Sequence, residues 1–303
     1  MNNKHHQFLI EEKEENMRLD LILARRFPEY SRSYFHYLFE NKTILLNGSI
    51  ALKRSKPHIG DIVSLHFLDL PAISLKPQNI PLEILHEDAY FLAVNKPADM
   101  VVHPAPGNPD STFVNALLFY LQDAFKDSDA SLRPGIVHRL DKETSGVLLA
   151  AKTPAAHEAF VHLFAERKVE KTYLAVCLGH PGNVCIQQPI GRHPMKRKEM
   201  AVTSKGKPAV TKCMTISTNK NFSYVKLLPL TGRTHQIRVH LKHIGNPILG
   251  DKIYGNSSLN IKHKIPRQLL HAYHLKFIHP FKNKEIRIEA PIPEDLQTWI
   301  NKI

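Results

Sequence analysis

Among the residues of this sequence, Asp141 is the one whose surroundings most suggest chemistry. It lies in His138-Arg139-Leu140-Asp141-Lys142, an acid set between two cations. Nearby positive charge favours an ionised carboxylate and lowers its pKa. A carboxylate held ionised suits a nucleophile or a general base and suits a general acid poorly. Pro134-Gly135 before it and Thr144-Ser145-Gly146 after it are turn signals, and Val147 to Ala151 then reads as a buried strand. The acid therefore belongs to a loop at a strand's entrance. On charge spacing alone, an ordinary surface ion pair accounts for these residues better than a catalytic group does.

The second concentration of chemistry is positive charge. The 303-residue chain carries a net charge of +13, and the stretch from Arg192 to Lys242 holds twelve Lys or Arg against one acid, Glu199, which is +11 of that total. A charge run is usually a solvated face. One so long and so poor in acids reads as a surface that tracks phosphates, with Arg192, Lys196, Arg197, Lys198 and Arg233 as its candidate contacts.

Other chemistries lack their motifs. The three cysteines, Cys177, Cys185 and Cys213, form no C-x-x-C pair, and their odd count argues against a disulfide framework and for a reducing, cytoplasmic setting. The 19 histidines include no zinc-ligand pattern; His240 and His243 share a helical face without a third ligand and read as polar or phosphate-facing. Lys205-Gly206-Lys207 is not a nucleotide-binding loop, because Ala201 stands where the first glycine belongs, and no G-x-G-x-x-G occurs. No run is long enough to span a membrane.

The elements that must hold these residues fall into two groups. Residues 1–16 lack periodicity and read as a loose tail, with a first strand at most around Phe8 to Ile10. Leu19, Ile22, Leu23 and Phe27 recur at helical spacing until Pro28; Ser31 is a cap for a second helix through Tyr34, Leu38 and Phe39. Thr43 to Leu46, the turn Asn47-Gly48, and Ile62 to Phe67 then read as a small hairpin sheet. Pro71, Pro77 and Pro81 mark an extended linker, giving domains at 17–72 and 82–303 with a 73–81 connection. In the second domain, strands are expected at 82–85, 90–95, 147–151, 171–176, 199–203, 209–218 and 222–230. Helices are expected after Ser111 or Thr112, from Pro154 to Arg167 behind a Thr153 cap, through Ile237, Leu241 and Ile244, and near Trp299. The class is α+β, and the length allows a sizeable core.

Five ordered blocks resemble the RluA-type pseudouridine synthases: Lys96-Pro97 with Val101-Val102-His103-Pro104, His138-Arg139-Leu140-Asp141 with Thr144-Ser145-Gly146, Lys171-Thr172-Tyr173-Leu174-Ala175, Thr231-Gly232-Arg233-Thr234-His235-Gln236-Ile237-Arg238, and Pro247 to Asp251 with Arg267 to Ala272. Pro104-Ala105-Pro106-Gly107-Asn108 is typical of the RluD-like branch. Arg18-Leu19-Asp20, Ser31-Arg32, Asn47-Gly48 and Gly60-Asp61 resemble an S4 RNA-binding domain, with Arg32 among its RNA contacts; Asn41 replaces the glycine common after the second helix and is expected to keep the left-handed cap.

The resemblance implies a mixed, mainly antiparallel sheet with flanking helices and the cleft across its middle. It implies Asp141 as nucleophile or base, Arg238 as the arginine paired with it, and Tyr173 as the ring stacked on the target base. Arg139 is then expected to fill the space the flipped base vacates, or to grip its phosphate. Because isomerising uridine adds and removes nothing, no cofactor or metal is implied. The implied partner is large-subunit rRNA or an assembling ribosomal subunit, rather than tRNA or a membrane, for a monomeric enzyme. The rival readings are a glycosidase, which needs two facing carboxylates and has only Asp251 to set against Asp141, a non-catalytic RNA-binding protein, and a methyltransferase, for which no glycine-rich loop is present.

Overall fold

The computed structural model describes residues 5–30, 32–68, 76–104, 108–121, 135–196 and 199–303. The Ser31 cap, Pro71, Ala105 to Gly107, the Arg133-Pro134 half of the first turn, and Arg197 and Lys198 lie outside them. The chain divides into two compact units, residues 1–73 and 74–303.

The first unit contains β1 (His5–Leu9), a 3-10 turn (Glu12–Glu14), α1 (Leu19–Arg26), α2 (Arg32–Glu40), β2 (Ile44–Leu46), β3 (Ser49–Ile50) and β4 (Ile62–His66). Its four strands run antiparallel in the order β1-β4-β2-β3. Leu19, Ile22 and Leu23 of α1 and Phe35 and Leu38 of α2 are fully buried against Ile44 and Val63. The β2–β3 turn is two residues, Asn47 (φ 50°) and Gly48 (φ 77°), both left-handed as such a hairpin requires.

Two expectations change here. Residues 5–14 are not a loose tail: β1 pairs with β4 along its whole length, and Arg26 gathers the acidic run, reaching Glu14 Oε1 at 2.7 Å, Glu11 Oε1 at 3.0 Å and the Leu9 carbonyl at 3.1 Å. Asn41 is not the left-handed cap. That conformation falls on Lys42 (φ 60°), while Asn41 donates its side-chain amide to the Tyr37 carbonyl at 2.8 Å.

The second unit is built on a nine-stranded sheet. Its elements are β5 (Ile84–Glu87), β6 (Phe91–Lys96), α3 (Phe113–Tyr120), β7 (Ser145–Ala151), α4 (Pro154–Ala165), β8 (Glu170–Leu178), β9 (Val184–Gln187), a separate ribbon β10 (Ile190–Arg192) and β11 (Met200–Val202), β12 (Val210–Thr218), β13 (Phe222–Pro229), α5 (Gln236–His243), α6 (Ser257–Lys262), β14 (Leu270–Ile278), β15 (Glu285–Glu289) and α7 (Glu294–Ile300). The strand order is β5-β6-β7-β14-β8-β13-β12-β9, with β15 also on β14. Among the described residues every pairing is antiparallel except β14 with β7.

Helices cover both faces of β6 and β7, so all seven residues of β7 are buried. Alternation sorts them: Leu92, Val94, Leu148 and Ala150 pack with Phe113 and Leu117 of α3, whereas Phe91, Ala93, Val147 and Leu149 pack with Phe160 of α4. Thr112 and Asn115 cap α3 reciprocally, and Thr153 accepts the Ala156 N–H at the start of α4. On another part of the sheet, Leu296 and Trp299 of α7 pack on Leu174, Val176 and Phe222. The stretch expected to be a linker is partly docked: Gln78 donates its N–H to the Asn115 carbonyl, and the Asn115 amide donates to the Lys76 carbonyl.

The two halves of the large sheet meet at β14. Ala272 is paired with Gly146 on one side and Tyr173 on the other. Gly146 has φ 111°, and a Cβ there would lie 2.2 Å from the Ala272 carbonyl oxygen. Only glycine lets the strands approach this closely. The contact brings the loop ahead of β7 beside the tyrosine of β8.

Candidate active site

Asp141 lies on a loop whose backbone is pinned on both sides by side chains from elsewhere. β14 covers only the first part of β7, and the 135–138 segment takes the remaining edge: the Ala151 N–H donates to the Gly135 carbonyl, and the Leu149 N–H donates to His138 Nε2 at 2.8 Å. His138 also stacks on Phe164, with ring centroids 4.5 Å apart. Burial, with the Lys171 charge behind it, pushes the His138 pKa down to about 3. This imidazole is a neutral anchor that stands in for a strand partner. Beyond Asp141, the fully buried Lys96 ammonium donates to the carbonyls of Pro97, Met100 and Lys142 at 2.7, 2.9 and 3.1 Å. Burial first, then the charge of Arg267, pushes its pKa down to about 7, against the pull of Asp141. Arg267 donates to the Glu143 carbonyl, and Gln268 donates to the Thr144 hydroxyl.

The charge partner of Asp141 is neither of its sequence neighbours. Arg139 is exposed and has no hydrogen bond or ion pair among the described residues, and Lys142 reaches Asn108 instead. Arg238 of α5 donates from Nη1 to Asp141 Oδ2 at 2.9 Å. Its Nε and Nη2 are taken by both oxygens of the fully buried Asp251, at 2.7 and 2.9 Å. Asp251 also accepts the N–H groups of Ile253 and Tyr254. Burial works against both charges, but the hydrogen bonds and charges of the pair outweigh it. Arg238 is held above the usual arginine value and Asp251 below the usual carboxylate range.

Tyr173 lines the same cleft as Asp141 and is half-buried, its hydroxyl without a partner among the described residues. Burial, and then the Asp141 charge, raise its pKa, so it stays a neutral phenol. The cleft on this side measures about 480 Å³ and continues past Arg139 and Asp141 into a second recess of about 500 Å³, floored by Val101, Val102 and Ile136. Asp141, Arg139, Leu140, His235 and Arg238 face both. Among the described residues no three His, Cys, Asp or Glu side chains cluster as a metal site would require.

The remaining sequence candidates are dispersed. Arg233 lines the first recess and donates to the Pro208 carbonyl at 3.2 Å. Arg192 lies at the exposed end of the β10–β11 ribbon, and Lys196 beyond it pairs with Glu199 at 3.1 Å. In the first unit Arg32 pairs at 2.8 Å with the buried Asp20, which Arg18 also holds. His240 is not phosphate-facing: it is fully buried, between the Thr211 hydroxyl and the Gln188 carbonyl. Arg233 and His235 do not lie on a helix, because α5 starts at Gln236, whose side-chain oxygen takes the Thr231 hydroxyl and the Arg233 N–H. Sequence patterns alone do not single out His235, and they offer Asp251 only as a glycosidase partner. The glycine at 232 is the available signal that a turn precedes the helix.

The family model for RNA pseudouridylate synthases matches residues 90–243, which contain Asp141, Tyr173 and Arg238. An uncharacterised RNA pseudouridine synthase of Aquifex aeolicus is 40% identical, over 98% of this chain and 97% of its own length. The ribosomal large subunit pseudouridine synthase D of Escherichia coli K12 is 39% identical, over 95% of this chain and 90% of its own length. Among solved structures, human RNA pseudouridylate synthase domain containing 1 superposes with a TM-score of 0.57 at 26% identity, covering 78% of this chain and 97% of that one. The chain belongs to the RNA pseudouridylate synthase family, on its RluD-like branch, and catalyses the isomerisation of uridine to pseudouridine.

Proposed function

We propose that Asp141 is the nucleophile or base of this isomerisation, that Arg238 pairs with it and aims it, and that Tyr173 supports the flipped uracil. The observation that carries this reading is the 2.9 Å contact from Arg238 Nη1 to Asp141 Oδ2, in a cleft that Tyr173 also lines. Forming pseudouridine requires breaking the N1–C1′ bond, turning the base and joining C5 to C1′. A uridine stacked in a helix is out of reach, so the nucleotide must leave its stack at a cost of a few kcal/mol. A phenol ring against the extruded base returns ~1–3 kcal/mol. Arg139, exposed beside Asp141, fills the vacated space or grips the phosphate.

The substrate is large-subunit rRNA, met in the cytoplasm by a monomeric enzyme. Support comes from the chain's similarity to large-subunit synthases of the D type and from its Pro104 to Asn108 block. A stem-loop such as helix 69 suits the chemistry, since loop bases are already partly unstacked. The first unit, S4-like in its helix pair and hairpin, is a second, sequence-blind grip that raises effective concentration at the cleft. Mapping pseudouridines across rRNA and tRNA with and without the gene tests the substrate. Loss confined to large-subunit rRNA is the expected result, and loss confined to tRNA contradicts it.

A further inference from the structure

His235 has no part in the roles assigned above, yet its position is heavily constrained. It caps α5 with a left-handed backbone (φ 55°, ψ 21°), a conformation uncommon outside glycine. Its Nδ1 is 2.8 Å from the Tyr254 hydroxyl, and that hydroxyl accepts the Met200 N–H at 2.8 Å. A phenol has one proton, and no other acceptor for it stands among the described residues, so Tyr254 gives it to His235 Nδ1. The imidazole proton is thereby assigned to Nε2. Burial holds this histidine's pKa below its ordinary value, against the pull of Asp141, so the neutral ring has this single N–H to offer.

Nε2 faces Asp141 Oδ1 across 3.9 Å. Arg238 occupies the other oxygen, Oδ2, so Oδ1 is the one left for substrate. The gap is too wide for a hydrogen bond but takes one oxygen at about 2.8 Å from each side. That oxygen must accept from Nε2–H and donate to a carboxylate. Carbonyl and phosphate oxygens cannot donate, and a base N–H cannot accept. Within an RNA strand the 3′ and 5′ oxygens are esterified, and the 2′-hydroxyl is the group of the target nucleotide that does both. It is also attached next to C1′, the carbon that exchanges its bond. We infer that His235 and Asp141 bracket the 2′-hydroxyl of the target ribose, which makes His235 a substrate-contacting residue that selects ribose over deoxyribose.

This rests on Asp141 being the reacting carboxylate, and a cycle of substitutions separates the two ideas. kcat/KM is measured for wild-type enzyme and His235→Asn on one RNA carrying uridine or 2′-deoxyuridine at the target position. Asparagine tolerates the left-handed backbone and is too short to span the gap. The deoxy penalty in the wild type should exceed that in the variant by about three- to tenfold, the worth of one hydrogen bond. Equal penalties overturn the bracket. His235→Gly, which adopts the left-handed backbone without strain and removes the same N–H, should shrink the penalty in the same direction; it carries the test alone if His235→Asn does not fold, and an unchanged penalty there is equally fatal. Turnover retained by Asp141→Asn removes the site reading itself, whereas an inactive Asp141→Asn with equal deoxy penalties removes only the bracket.

Discussion

Arg238 is a fork with two tines committed to Asp251 and one offered to Asp141. The fixed geometry of a guanidinium makes this division possible, and a lysine ammonium cannot reproduce it. Arg238→Lys should therefore abolish most activity even though the charge is kept, as single-turnover conversion would show. Asp251→Asn leaves a buried arginine short of one of its two carboxylates. Chemical denaturation should report a loss of about 3–5 kcal/mol, the usual result of breaking a buried pair from one side. The buried histidines give a pH signature. His138 and His271, with pKa values pushed down mainly by burial to about 3 and about 4, refuse protons that the unfolded chain accepts from about pH 6.5 downward. Folded stability should be flat in this respect above pH 6.5 and decline as pH falls towards 4 and then 3. A His271→Asn variant whose melting temperature keeps the full wild-type slope over that window would contradict this origin.

At the scale of elements, the seam between β7, β14 and β8 is what puts Asp141 beside Tyr173. Gly146→Ala would place a methyl carbon on the Ala272 carbonyl, so soluble expression or the melting temperature should fall by the equivalent of more than about 3 kcal/mol. A near-native Gly146→Ala would mean that the strands can part without cost. Much of this framework was legible in the chain. Thr153-Pro154 announced α4, Asn47-Gly48 announced its hairpin, and the unbroken apolar run Val147 to Ala151 announced the buried strand β7, because caps, turns and short apolar runs are written in adjacent residues. The parallel pairing of β14 with β7 was not legible, since 126 residues separate Ser145 from its partner His271. For the same reason, proximity in sequence points to Arg139 and Lys142 as the partners of Asp141; Arg238 is named only by the family resemblance, and it is the fold that brings it there. The left-handed turn at His235 and the grasp of Arg26 on Glu11 and Glu14 likewise depend on groups that only folding assembles.

At the scale of the whole molecule, the proposed grip on RNA rests on charge and on the division into units. If the Arg192 to Lys242 stretch neutralises the phosphates, log K should fall linearly with log[salt]. Removing the charges of Lys196, Arg197 and Lys198 together should then flatten that slope by about 0.7–0.9 for each phosphate left without its cation. An unchanged slope places the footprint elsewhere. Each unit has its own buried cluster of apolar side chains, so residues 74–303 should fold without 1–73. The shortened protein should bind RNA more weakly and choose sites less well, yet convert a saturating stem-loop at close to the full rate.

The central claim, that Asp141 performs the isomerisation while the fold stands without it, is tested most directly by Asp141→Asn. Asparagine keeps the shape, and Arg238 keeps its fork on Asp251. Carbodiimide labelling of the RNA after incubation, which detects a change that leaves mass unaltered, should show no pseudouridine, with RNA affinity and melting temperature close to wild type. Appreciable pseudouridine formation by that variant would contradict the account.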